Sequence, residues 1–127
     1  MTIAAIDFQM LANAGYPPTR FAAGDVIFSE GDKGDVMYVV RFGEVSIEHQ
    51  GHVMETLGGG GIFGEMALID GLRRSAAVVA ETRVEGIVLH RTAFMKLLDS
   101  NPSMARSLLM AQTARLREAD RKLSALG

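Results

Sequence analysis

The sequence predicts a mainly β fold, an antiparallel sandwich or barrel, with helices at both ends of the chain. Between residues 19 and 90, short runs rich in Val, Ile, Phe and Tyr alternate with Gly and Asp. Such runs are typical of short strands joined by tight turns. On either side, in residues 1–18 and 91–127, longer stretches without Gly carry apolar residues at helical spacing. These flanks are therefore predicted to contain the helices.

The N-terminal flank is predicted to be a short helix and a linker. Residues 2–14 are largely apolar and free of helix breakers, and Gly15 with the Pro17-Pro18 pair ends the pattern. Seven strands are expected after it. Their predicted bounds are 20–22, 26–29, 36–41, 44–49, 52–57, 76–80 and 84–89.

Two helices are predicted after the last strand. Asn101 can cap the second of them and Pro102 suits its first turn. The second helix is expected to continue to the end of the chain. Because Leu109, Leu116 and Leu123 recur every seven residues, two arrangements stay open: the helix packs on its own barrel, or it pairs with a second helix in a dimer.

Length and composition exclude several classes of protein. A chain of 127 residues with 48% hydrophobic residues fits one domain with a real core. The net charge of -2 gives no general basic field for a nucleic acid. Cysteine is absent, so disulfides and cysteine-ligated metals are excluded. With no apolar run near the roughly 20 residues of a membrane helix and no basic signal-peptide region, we expect a cytoplasmic protein. The starting methionine and the helix predicted after it favour a natural N-terminus at Met1.

The candidate site lies in residues 58–79, GGGGIFGEMALIDGLRRSAAVV. Glycines let the backbone come close to a ligand, and Gly64 marks the start of about one turn of helix. The free N–H groups at that start suit an anion such as a phosphate. Arg74 stands at the entry of the next strand and can clamp the same anion with two parallel hydrogen bonds. Glu65 is an acceptor, which suits a nearby hydroxyl better than a phosphate.

The stretch FGEMALIDGLRRSAAV resembles the phosphate-binding cassette of cyclic-nucleotide-binding domains, which occur in the catabolite activator protein, the protein kinase A regulatory subunit and cyclic-nucleotide-gated channels. Residues 24–45 are similar to the first strands and turns of the family, and the whole resemblance covers about residues 19–110. It implies an antiparallel double-stranded β-helix, or jelly-roll, barrel with a short N-terminal helix, a one-turn cassette helix and two C-terminal helices. Residues 1–127 would form a single domain, with the barrel in 19–90.

The resemblance also implies a role for each matching cassette residue. Arg74 would pair with the cyclic phosphate, and Glu65 would accept a hydrogen bond from the ribose 2′-hydroxyl. Ser75 would donate to the phosphate and could contact a purine in the syn conformation. Further backbone contacts would come from Gly64, Met66, Ala67 and Ala76.

The expected ligand is cyclic AMP, with cyclic GMP as the alternative, because the Ser75 hydroxyl could serve either base. The Thr-Ser pair that reaches adenine in the catabolite activator protein aligns with Ala119 and Asp120, so that contact is absent. The candidate lid residues over the base are Arg115, Leu116, Arg117 and Asp120.

The resemblance implies a sensor that couples ligand binding to movement of the C-terminal helix, read by a homodimer mate or an effector protein. Two possibilities stay open: a stand-alone domain, or a piece of a longer protein. No catalytic residue, metal, cofactor or membrane contact is expected. DNA contact is not expected either, because the sequence contains no helix-turn-helix. A ligand-free interaction module of the same fold is the main alternative. A cupin-type metal enzyme is disfavoured because His49 and His52, three residues apart, would point to opposite faces of a strand, and His90 is alone.

Overall fold

The computed structural model describes residues 8–126 and confirms a mainly β fold with flanking helices. The elements are α1 (Phe8–Asn13), β1 (Pro18–Phe21), β2 (Val26–Phe28), β3 (Val36–Phe42), β4 (Val45–His49), β5 (His52–Leu57), β6 (Ile62–Phe63), α2 (Glu65–Asp70), β7 (Ala77–Ala80), β8 (Val84–His90), α3 (Arg91–Ser100) and α4 (Pro102–Leu126). The part of the N-terminal helix predicted at residues 2–7 lies outside the described residues.

The strands form two four-stranded antiparallel sheets rather than one closed barrel. One sheet has the order β1-β8-β3-β6 and the other has the order β2-β7-β4-β5. The seven predicted strands are all present, with ends that shift by one or two residues. The short strand β6 was not predicted. It pairs with β3, where Tyr38 lies opposite Phe63 and Val39 lies opposite Ile62.

Strand β3 is buried on both faces and separates two apolar clusters. Successive side chains of a strand point to opposite faces. Met37 and Val39 therefore pack toward the helices, in a cluster with Phe94 of α3 and Met104 of α4. Val40 packs between the two sheets. Leu68 of α2 belongs to the same cluster as Phe94 and Met104, so that the short helix and the C-terminal helices share one core.

The junction of α3 and α4 differs from the prediction at Asn101. The backbone carbonyl of Asn101 accepts hydrogen bonds from the N–H groups of Met104 and Ala105, at 2.9 and 3.2 Å, as an N-cap residue does. Its side-chain amide, however, donates back to the carbonyl oxygen of Leu97 at 3.0 Å. The Asn101 side chain thus closes α3 instead of capping α4.

Two of the three heptad leucines of α4, Leu109 and Leu116, do not pack on the sheets. Leu109 and Leu116 are 68% and 72% exposed, and the side chain of Leu123 is outside the described part of the structure. The face that α4 turns to the core carries Met104 and Leu108 instead. Within residues 8–126, no helix has both the length and the apolar character needed to cross a membrane.

Candidate functional site

A cavity of about 320 Å³ opens beside α2, at the lower end of the range for small-molecule sites. All seven cassette residues named from the sequence line it: Gly64, Glu65, Met66, Ala67, Arg74, Ser75 and Ala76. Arg115 of α4 lines it as well, and the wall is completed by residues of β2, β4, β5, β6 and β7 and by Asp70, Leu72 and Arg73. The structure therefore brings the predicted cassette together with the C-terminal helix.

Gly64 sets the start of α2. Its φ of 84° is left-handed, a conformation that glycine adopts without steric cost. A Cβ at this position would lie 2.9 Å from Nη1 of Arg74 and 3.2 Å from the carbonyl oxygen of Val36. No side chain caps α2, and the first N–H groups of a helix have no partner within it. The N–H groups at the start of α2 are thus available to a ligand.

Arg74 is a buried cation held by backbone carbonyls. Its side chain donates from Nη1 to the carbonyl of Gly64 at 2.7 Å and from Nη2 to that of Val36 at 2.6 Å, and the residue is only 6% exposed. Its Nε is buried without a hydrogen-bond partner. Burial lowers the pKa of Arg74, but a guanidinium stays protonated in proteins. Among the ion pairs of residues 8–126, none joins Arg74 to a carboxylate.

The Arg74 guanidinium packs against the face of the Phe28 ring. The Cζ atom of Arg74 lies 4.0 Å from the ring centroid of Phe28, within the range of a cation–π contact. The rings of Tyr38 and Phe63 stack at 4.8 Å, and Phe28 is 6.0 Å from Phe63. Burial raises the pKa of Tyr38. This role of Phe28 could not be predicted, because nothing in a strand pattern shows which side chain will face an arginine that is 46 residues away.

Glu65 is the second buried charge of the cavity, at 1% exposure. Its Oε1 accepts from Nε2 of Gln112 at 2.5 Å and from Nη1 of Arg115 at 2.7 Å. Nε of Arg115 also lies 3.6 Å from Oε2 of Glu55 on β5. One cation therefore stands between two carboxylates and joins β5, α2 and α4.

Arg115 was expected near the ligand, whereas Gln112 and Glu55 were missed. Gln112 and Arg115 are three residues apart, which places them on the same face of α4. This spacing was the one signal in the sequence that could have identified Gln112. It was not sufficient, because the sequence does not show which face of α4 meets the cavity. Of the other predicted lid residues, Leu116, Arg117 and Asp120 are exposed and are not among the described residues that line the cavity.

The histidines of the β4–β5 hairpin correct one expectation. His49 and His52 are direct cross-strand partners, so they share a face of the hairpin and do not point to opposite faces. The reason is the tight turn between them, which reverses the chain within two residues. His49 also lies 3.0 Å from Glu30. Over residues 8–126, no group of three His, Cys, Asp or Glu side chains is arranged to hold a metal ion.

Known proteins resemble this chain in both sequence and structure. The family model of the cyclic nucleotide-binding domain matches residues 18–101. A cyclic AMP receptor protein of Thermus thermophilus is 37% identical over 121 residues, which cover 91% of this chain and 56% of that protein. A cyclic nucleotide-gated potassium channel of Rhizobium etli is 41% identical over 91 residues, 72% of this chain and 25% of the channel. The chain thus spans about half of the first relative and a quarter of the second.

The similarity extends to the arrangement of the elements. The crystal structure of the Thermus thermophilus catabolite activator protein superposes with a TM-score of 0.83 and 34% sequence identity. The superposition covers 97% of this chain and 60% of that structure.

Proposed function

Because the chain belongs to the family of cyclic nucleotide-binding domains, we propose that it binds cyclic AMP in the cavity beside α2 and works as a sensor. The observation that carries the proposal is the state of Arg74, a buried cation that forms no direct ion pair among the described residues, although Asp35, Asp32 and Glu65 are near enough to favour its charged form. Burial of a charge that has no direct ion-pair partner is costly. A cyclic phosphate, with one negative charge, would supply that partner.

The phosphate would lie between Arg74 and the start of α2. The Nε atom of Arg74 lacks a hydrogen-bond partner, and the uncapped N–H groups of Glu65, Met66 and Ala67 are close by. Hydrogen bonds between charged groups are roughly twice as strong as neutral ones. Ser75 lines the same cavity and would add a hydroxyl donor, while Ala76 and Gly64 would add backbone contacts.

The ribose would lie against Glu65. Oε1 of this carboxylate already accepts from Gln112 and Arg115. An ionised carboxylate has a second oxygen with its own lone pairs, and we propose that this oxygen accepts from the 2′-hydroxyl of the ligand. Since both oxygens of a carboxylate are acceptors only, Glu65 would be placed beside the phosphate for a hydroxyl and not for the phosphate itself.

The base would be covered by α4. Arg115 lines the cavity, and its Nη2 is buried without a hydrogen-bond partner. Leu116, Arg117 and Asp120 would reach a base only after a movement of α4. The similarity to a protein named as a cyclic AMP receptor supports cyclic AMP over cyclic GMP. The Ser75 hydroxyl and an arginine donor could also serve guanine, so cyclic GMP is the second ligand to test.

Binding would be coupled to the C-terminal helices through the shared core. Leu68 of α2 packs in one cluster with Phe94 of α3 and Met104 of α4. A ligand that draws α2 toward its phosphate would therefore shift α3 and α4, within the limit set by its different affinities for the two states. We propose that a homodimer mate or an effector protein reads the changed surface of α4. Four statements stay predictions from the sequence: a single domain over residues 1–127, a cytoplasmic location, no enzymatic activity and no DNA binding.

The proposal is tested by titrating the protein with cyclic AMP and cyclic GMP in a calorimeter, beside an Arg74→Ala variant. Loss of one partner of a buried charge pair costs about 2–5 kcal/mol, so the variant should bind at least tens-fold more weakly. An Arg20→Ala variant is the matched control, because the Arg20 side chain is 70% exposed, pairs with Glu85 and does not line the cavity. Absence of binding by the wild type at millimolar nucleotide would contradict the proposal and favour a ligand-free interaction module.

A further inference from the structure

Gln112 of α4 holds the carboxylate that faces the cavity, although it does not line the cavity itself. Its Nε2 donates to Oε1 of Glu65 at 2.5 Å. We infer that Gln112 is a positioning residue: it fixes Glu65 so that Oε2 is presented to a ligand hydroxyl, and thereby makes the site select ribose over deoxyribose. This inference rests on the proposed function, since it names the residue that positions Glu65 for the proposed ribose contact.

The geometry assigns the two oxygens of Glu65 to different tasks. Gln112 and Arg115 both donate to Oε1, at 2.5 and 2.7 Å. Two donors on one oxygen fix the rotation of the carboxylate plane, because turning the group would break both bonds. With Oε1 held by α4, the ligand side of the group is Oε2. A carboxylate that could turn freely would offer the ligand no fixed acceptor direction.

The charges around Glu65 explain why Arg115 alone does not fully stabilise this buried carboxylate. Arg115 lies between Glu65 and Glu55, so one positive charge is divided between two negative ones. Glu65 is nearly fully buried, and a buried carboxylate needs hydrogen bonds for most of its lone pairs. Gln112 gives Glu65 a second hydrogen-bond donor that is neutral, so no further positive charge is added.

The position of Gln112 on α4 supports a role beyond packing. Leu108 and Ala111, the helix neighbours on the inner side, pack against the apolar core. An apolar residue would satisfy packing at a half-buried position beside them. The amide of Gln112 instead donates a hydrogen bond to Glu65.

The test compares cyclic AMP with 2′-deoxy cyclic AMP, which lacks the hydroxyl, in the wild type and in a Gln112→Met variant. Methionine keeps the length and helix propensity of glutamine but donates no hydrogen bond. We expect the variant to bind cyclic AMP about tenfold more weakly, since a hydrogen bond to a charged group is lost, and 2′-deoxy cyclic AMP almost as well as the wild type does. A Thr113→Ala variant is the control, because the Thr113 hydroxyl bonds only the carbonyl of Leu109 on its own helix.

The outcomes separate this inference from the function on which it rests. A wild type that binds both nucleotides equally would contradict the Glu65–ribose contact of the proposed function. A wild type that prefers cyclic AMP, with a variant that weakens by the same factor for both nucleotides, would overturn the positioning role and leave the function standing. If the methionine variant is unfolded by circular dichroism, Gln112→Asn, which keeps the amide but is shorter by one carbon, decides the same comparison.

Discussion

Gly34 leaves the space that the Arg74 guanidinium fills. A Cβ at residue 34 would lie 2.8 Å from Cζ of Arg74 and 2.5 Å from Cβ of Ala67. Both distances are shorter than non-bonded carbon atoms tolerate. Ala67 is fixed by the backbone of α2, so the atom that would move is the arginine head. The position of Arg74, the proposed phosphate ligand, therefore depends on the absence of a side chain at Gly34.

We predict that Gly34→Ala weakens cyclic AMP binding at least several-fold and costs about 1–3 kcal/mol in the free energy of unfolding, the usual range for overpacking. Calorimetric titration and urea denaturation measure the two effects. Gly58→Ala is the matched control, because its Cβ would meet only the carbonyl oxygen of Gly43 at 3.9 Å. Wild-type affinity in a folded Gly34→Ala protein would contradict the idea that Arg74 must keep its present position.

At the scale of elements, the cassette and most strands could be predicted because their signals are local. Gly64 and Gly71 delimit α2 on their own, since both take the left-handed backbone that glycine favours. Strand β6 gave no such signal: its two residues are too few for any alternation, and it exists only because β3 pairs with it. Arg115 of α4 was expected near the ligand, but Gln112 of the same helix was missed. Gln112 lies 47 residues from its partner Glu65, and no local pattern records that distance.

Arg91, the first residue of α3, ties that helix to the end of α2. Its Nε donates to the carbonyl of Leu68 at 3.2 Å and its Nη2 to that of Ala67 at 3.4 Å. The carbonyl of Ala67 also accepts from the N–H of Gly71 at 3.0 Å, and a cation is favourable near the carbonyl end of a helix. A displacement of α2 would therefore be carried to α3 by a polar link as well as by the packing of Leu68.

We predict that Arg91→Ala reduces the response of α3 to the ligand while α2 still responds. In the wild type, cyclic AMP should slow amide hydrogen exchange in both helices, because exchange reports local opening. In the variant the protection of residues 91–100 should fall by at least half, with affinity changed only a few-fold. Lys96→Ala, an exposed residue of the same helix, is the control. An unchanged α3 response in Arg91→Ala would show that the apolar core alone transmits the movement.

At the scale of the whole molecule, α4 has two faces with different partners. The inner face carries Leu108 into the core and Arg115 to the cavity. The outer face exposes Leu109 and Leu116, which are seven residues apart. Two large apolar residues on one exposed stripe are typical of a helix that packs against a second helix. Because both faces belong to one rigid helix, a movement caused by the ligand on the inner side would reach a partner on the outer side.

We predict that the chain forms a dimer through this stripe, and that the double variant Leu109→Gln with Leu116→Gln is a monomer. Burial of a leucine side chain contributes about 1.5–3 kcal/mol, so removing two from each protomer should raise the dissociation constant more than a hundredfold. Light scattering after size-exclusion chromatography, at micromolar concentrations with and without cyclic AMP, measures the mass. Val53→Thr removes an exposed apolar residue from β5 and should leave the mass unchanged. A wild type that is monomeric at every concentration would contradict the dimer and leave α4 as the surface for a different effector protein, because the stripe would then need another partner to cover it.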